Sequence, residues 1–238
     1  MLKSARGMVG ECHNRPITRA NMEYRVEPVD GTNEAAALFV RDRQERWSVT
    51  GGKIIVFTND ARRAEVLAKI LGCHSFNDAM SKPRKDQVLE DFTQAGGGAI
   101  IVATPDLAVC LKVAAVRCVI HLDIPTSLHH YVQESARAGR DGQPSEAVII
   151  APPGSRPREW DTWDPELMRG IQAMKRYVRG EKCRRQVLDS YLGCYERDGG
   201  CLNSLRELLC DVCKATSESM VVDHASSVEN DALSDSCD

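Results

Sequence analysis

The 238-residue sequence holds no phosphate-binding loop: Gly-x-x-x-x-Gly-Lys followed by Ser or Thr occurs nowhere, and neither does an Asp-Glu-x-His magnesium motif. Gly51-Gly52-Lys53 is no substitute, because it precedes a β-rich run instead of leading from a strand into a helix. Gly96-Gly97-Gly98 likewise enters an apolar run and reads as a loop. Hydrolysis of a nucleoside triphosphate by this chain alone is therefore not expected. Long apolar runs are missing too, and none approaches the length that crosses a membrane. Met1 to Gly10 lacks the apolar core of a signal peptide. Ten cysteines are accordingly expected as thiols rather than as a disulfide scaffold. Strong net charge is also absent. The total of -3 divides into -5 for Lys214 to Asp238, where one Lys faces six acids, and +2 for the body before it. That balance gives a polyanionic partner only weak support.

What is present is an alternation. Short, nearly continuous apolar runs recur at 53–58, 99–103, 116–122 and 147–150, as expected of strands covered on both faces. Helical stretches lie between them. Asp60 can cap a helix carrying Ala64, Leu67, Ala68 and Leu71, Ser81 with Pro83 opens another, and Ser127 a third. Strand, helix, strand repeated in this way predicts an α/β fold with a parallel sheet flanked by helices. Ligands of such sheets sit at the carboxyl ends of the strands, where Thr58, Asn59, Thr104 and the Arg137/Arg140 segment are expected. Residues 1–29 show no sustained period and read as extended. Residues 33–47 predict a helix with Ala35, Leu38 and Phe39 on one side.

The stretch Gln133 to Gly142 places Arg137 and Arg140 three residues apart among small residues, Ala136, Ala138 and Gly139. On a helix that spacing puts both guanidiniums on one face, and the glycine ends the helix. Two planar, permanently charged forks suit a polyphosphate, although two arginines at this spacing are more often a solvated pair on a surface helix. After Pro152, Pro153, Gly154 and Pro157, Asp164 caps a helix with Pro165 at its first position. Leu167, Ile171, Met174 and Val178 give that helix one apolar stripe, read as core packing, as are Trp160 and Trp163. Five cysteines crowd between Cys183 and Cys213. The pair Cys210-x-x-Cys213 can bite one metal, although redox and chance readings of such a pair stand beside that one. From Lys214 the composition predicts disorder.

These motifs together resemble RecQ-type DNA helicases of superfamily two. Gln133 to Gly142 resembles their sixth motif, Lys53 to Asn59 the fourth, and Ile100 to Pro125 the fifth with its following strand, ending at His121 and Pro125. His74 has a family counterpart, and Thr18 to Val26 looks like the strand that joins the two motor lobes. Cys183 to Gly193 with the Cys-x-x-Cys pair resembles the family's zinc-binding subdomain. The resemblance implies a second RecA-like lobe over 51–151, a linker and N-terminal segment over 1–50, a helical zinc-binding subdomain over 152–213 and a disordered acidic tail over 214–238. It implies an ATP-dependent 3′-to-5′ helicase acting in the nucleus on single-stranded or 3′-tailed DNA. ATP and Mg2+ would bind only with a first lobe supplied in cis or in trans.

By the same resemblance Gln133, Arg137 and Arg140 face the nucleotide, with Arg140 as arginine finger and Arg137 beside it. Thr58, Asn59 and Thr104 meet the DNA backbone, and Arg184 and its neighbour Arg185 contact phosphates or lie solvated. Cys183, Cys201, Cys210 and Cys213 hold Zn2+, with Cys194 as the alternative to Cys201. The sequence departs from the family at Ala108, Cys110 and Ala136, where glycine is expected, and at Lys112, where an acid is expected. Those changes keep a second reading open, a nucleic-acid-binding or structural remnant without turnover.

Overall fold

The computed structural model describes residues 18–107, 113–156, 162–193 and 199–220. Ala108, Cys110, Lys112, Trp160, Cys194 and the acidic stretch from 221 onward lie outside the described residues. Six strands form one sheet: β1 (Met22–Pro28), β2 (Lys53–Phe57), β3 (His74–Phe76), β4 (Ile100–Ala103), β5 (Val116–His121) and β6 (Ser145–Ala151). Their order is β1-β6-β5-β2-β4-β3, and every neighbouring pair is parallel. The helices are α1 (Asn33–Ser48), α2 (Ala61–Leu71), α3 (Lys82–Gln94), α4 (Leu128–Ser135), α5 (Pro165–Arg179) and α6 (Arg184–Leu192). A 3-10 turn follows at Gly200–Asn203, and residues 211–220 are helical.

Three of the four expected helix starts are capped by a side chain; Ser81 precedes α3 without a side-chain cap bond. Asp60 accepts from Arg62 N and Arg63 N, Asp164 from Glu166 N and Leu167 N, and Ser127 from His130 N. The strand alternation then sorts the core into two layers, since successive side chains point to opposite faces. Ile54, Val56, Val102, Ile120 and Val148 pack under α1 and α2. Ile55, Phe57, Ile101, Val119 and Ile149 pack under α3, α4 and the cysteine region. Burial on both faces is why these strands read as unbroken apolar runs.

Four expectations need correction. The segment assigned to a linker over 1–50 contributes β1 and α1 to the lobe itself; β1 pairs with β6 over its whole length. Helix α1 packs on the sheet through a different stripe from the one expected. Ala36, Ala37, Val40 and Trp47 are buried, whereas Leu38 is 71% exposed, because small alanines let the helix approach the sheet closely. Trp163 is fully exposed rather than packed, and residues 214–220, expected to be disordered, continue the final helix.

Helix α1 is held by a buried carboxylate. Glu146 on β6 is fully buried; it accepts from Trp47 Nε1 at 2.6 Å, and Arg43 Nε stands 3.2 Å from the same oxygen. Removing one partner of such a pair leaves the others unsatisfied in the core. Glu146→Ala is therefore expected to cost about 3 kcal/mol, measured by urea unfolding. An unchanged midpoint would show that α1 is held by packing alone.

Candidate functional site

The carboxyl ends of the strands carry a small polar cluster. Thr58 follows β2 and is buried; its Oγ1 donates to Asp123 Oδ2 at 2.9 Å. Asp123 also accepts from Arg63 Nη1 at 2.7 Å and lies 3.4 Å from Asn59 N. Asn59 itself is exposed. Thr104 follows β4, its amide bonded to Phe76 O, and its buried hydroxyl has no hydrogen-bond partner among the described residues. The sequence reading missed Asp123 and Arg63; an acid directly after a buried strand was the available signal.

The arginine pair sits elsewhere. Helix α4 starts after the carboxyl end of β5 and runs back across the sheet, about 12 Å over its eight residues. It ends at Ser135, so Arg137 and Arg140 lie on turns rather than on the helix. Those turns lead into β6, which places them at the amino edge of the sheet, opposite Thr58 and Thr104. The expectation that all these residues share the carboxyl edge is thus corrected.

The turn is pinned at several points. Gly139 N donates to Val116 O at 3.0 Å, at the start of β5. Arg117 grips Asp141 through both terminal nitrogens, at 3.0 and 2.7 Å. That fork holds the Asp141 carboxyl below its usual range. Asn21 Nδ2 donates to Gly139 O and Gln143 O at 3.0 and 2.7 Å, and Arg19 Nη1 to Ala138 O at 2.6 Å. Gly139 has φ +62°, and a Cβ there would come within 2.6 Å of Asn21 Nδ2, so only glycine fits.

From this fixed backbone Arg140 projects into solvent, with Nε on Ala136 O at 3.2 Å. Arg137 is partly buried. Burial, then the charges of Arg140 and Arg19, lower its pKa. Three guanidiniums crowd one rim and favour an anion. Gln133 is exposed on α4, its amide 2.8 Å from His129 Nε2. Arg19, the third cation, lay in a segment whose sequence carried no period.

The four sulfurs of Cys183, Cys201, Cys210 and Cys213 all lie within 4.8 Å of one another, on four buried side chains. Cys183 Sγ is 3.4 Å from Cys201 Sγ and 3.8 Å from Cys210 Sγ, and all four thiols are free. Four sulfurs about 2.3 Å from a central Zn2+ stand about 3.8 Å apart, so the cluster has the size of such a site. Gly200, at φ +67°, leaves it room; a Cβ there would lie 3.1 Å from Cys183 Sγ and 3.3 Å from Cys213 Sγ. Hydrogen bonds from Cys201 and Cys210 push the Cys183 thiol down toward thiolate, while the same bonds push those two thiols up. Among the described residues Cys201 completes the set, and Cys194 lies outside them.

Residues 38–142 match the helicase conserved C-terminal domain. An ATP-dependent DNA helicase RecQ of Haemophilus influenzae is 26% identical over 230 residues, 89% of this chain and 33% of the relative. That match reaches past the lobe into the cysteine region. The chain thus carries a helicase conserved C-terminal domain and is similar, over most of its length, to RecQ-type helicases. It spans about a third of the length of that relative. A DEAD-box ATP-dependent RNA helicase of Oryza sativa is 32% identical over 104 residues, 42% of this chain and 16% of the relative. The solved second domain of the Mss116p DEAD-box helicase, bound to an RNA duplex, shares the fold at TM-score 0.50 and 15% identity, covering 68% of this chain and 59% of that one.

Within this RecQ-type region the departure at Ala136 is harmless to the backbone. Its φ of -64° is right-handed, so no glycine is required there. Arg184, expected on nucleic acid, is corrected. It is 5% exposed, forks onto Asp211 at 2.8 and 2.8 Å, and bonds Tyr177 O. Arg185 is fully buried as well, donating to Arg19 O at 2.7 Å, to Leu208 O at 3.2 Å and to Met22 O. Both sit at the start of α6 and fold inward because the buried Cys183 ahead of them brings that helix end against β1. Asp211, between two of the cysteines, also accepts from Val26 N and so covers the open edge of β1. Among the described residues, no helix is long and apolar enough to cross a membrane.

Proposed function

We propose that this chain is the second motor lobe and zinc module of an ATP-dependent 3′-to-5′ DNA helicase. One observation carries the reading: a backbone pinned by Val116, Arg117, Asn21 and Arg19 presents Arg140 to solvent beside two further guanidiniums. Such a rim suits the triphosphate and Mg2+ held by a first RecA-like lobe, in cis or in trans. Arg140 would offset charge on the γ-phosphate during phosphoryl transfer, with Arg137 and Gln133 orienting the nucleotide. Thr58, Asn59 and Thr104, at the opposite edge, would take single-stranded or 3′-tailed DNA by its backbone. The extent of the RecQ match, against the shorter RNA-helicase one, supports DNA over RNA. Cys183, Cys201, Cys210 and Cys213 would hold one Zn2+, which supplies folding energy rather than chemistry.

Two outcomes are expected of the chain by itself. It has no DNA-stimulated ATPase, because the phosphate-binding loop is on another lobe. It shifts single-stranded DNA in a gel, and that binding weakens steadily as salt rises, the signature of phosphate contacts. Turnover of ATP by the isolated chain that disappears in Arg140→Ala would overturn the shared-pocket reading. Binding indifferent to salt would remove the backbone role of the carboxyl edge.

A further inference from the structure

The cysteine module and the arginine turn are joined by one short segment, 18–22. From the module, Arg185 donates to Arg19 O and Met22 O, Leu208 N donates to Ala20 O, and Asp189 of α6 accepts from Thr18 N and Thr18 Oγ1 at 3.1 and 3.2 Å. The Arg185 guanidinium also lies over the Tyr24 ring, 5.1 Å from its centroid. From the other side of the same segment, Arg19 reaches Ala138 O and Asn21 reaches Gly139 O and Gln143 O. Ser145 N closes the loop on Asn21 O at 2.9 Å.

We infer that segment 18–22 is a strut by which the cysteine module sets the arginine turn, with Arg185, Asn21 and Arg19 as its positioning residues. The inference builds on the motor reading for its purpose, but not for its test. Arg185 is a fully buried guanidinium whose partners are mostly main-chain carbonyls of this segment. A cation so placed fixes backbone rather than binding a ligand. Asn21 supplies two of the few side-chain donors to the turn, and it stands where Gly139 leaves it space. Release of the strut leaves the Arg117–Asp141 fork and the Gly139–Val116 bond as the ties of the turn to β5.

Amide hydrogen exchange on the full zinc-loaded chain reads this directly. In Asn21→Ala, the amides of Gly139, Gly142 and Ser145 are expected to exchange about tenfold faster, with β2 and β4 unchanged. Arg185→Lys is expected to do the same from a residue that does not touch the turn, with zinc content held at one per chain. Should Arg185→Lys fail to fold, Asn21→Ala decides alone. Unchanged exchange at 139–145 in Asn21→Ala overturns the strut, whatever the turn binds. In a two-lobe motor, Asn21→Ala should lower kcat and leave KM for ATP in place. A loosened turn with unchanged kcat would equally overturn its role in positioning.

Discussion

Stripping zinc from the reduced protein is expected to unfold residues 162–220 and to release β1, leaving the strands β2, β4 and β5 protected. The four cysteines come from separate pieces of chain: the residue before α6, the 3-10 turn, and the start of the last helix. Their sulfurs form part of the core under the sheet, alongside Val187, Leu188 and Tyr191. Besides the sulfurs, the Arg184–Asp211 fork and the Arg185 bond to Leu208 O join those pieces. Binding of structural Zn2+ is worth about 10–16 kcal/mol in small modules, comparable with the whole stability of a domain. Asp211 and Arg185 then carry the loss to β1, whose outer edge they cover. Metal analysis should return one zinc per chain, and Cys210→Ser should reproduce the effect of a chelator. Reductively purified protein with no zinc and full exchange protection over α5 and α6 would remove the claim.

The second large effect belongs to Arg140. In a motor that combines this chain with a first RecA-like lobe, Arg140→Ala is expected to lower DNA-stimulated kcat by about 10³, or about 4 kcal/mol of transition-state stabilisation. KM for ATP should move little, because the finger acts on charge that develops during transfer. Arg140→Lys should not rescue, since an ammonium offers a point charge where the planar fork gives paired hydrogen bonds. Equal losses in kcat and in ATP affinity would mark Arg140 as a binding residue rather than a finger.

Local chemistry was legible in the sequence wherever it is set by neighbours in the chain. Asp60, Ser127 and Asp164 cap the helices they were expected to cap, and the apolar runs became central parallel strands. The four cysteines converge as the RecQ resemblance implied. What could not be read was set by contacts across the fold. Leu38 looked like core, yet Ala36 and Ala37 face the sheet, because proximity rather than size decides which side of α1 packs. Arg184 and Arg185 were expected on phosphates or in solvent, yet Asp211 and the backbone of β1 draw them inward from distant positions.

The edge assignment failed for a similar reason. Arg137 and Arg140 follow a helix that returns across the sheet, so their place depends on the length of α4 and on where β6 begins. A reading that stops at motif spacing cannot tell the two ends of a strand apart. Arg19 and Asn21, which fix the turn, come from a segment more than a hundred residues away in sequence.

The central claim is that the amino-edge arginines complete a nucleotide pocket whose other wall is a first lobe. The most direct measurement compares the affinity of that two-lobe motor for ADP with aluminium fluoride against its affinity for ADP alone. Arg140→Ala should weaken the transition-state mimic by about 10² or more and leave ADP nearly unaffected. Equal affinity for the mimic with and without the Arg140 side chain would contradict the account.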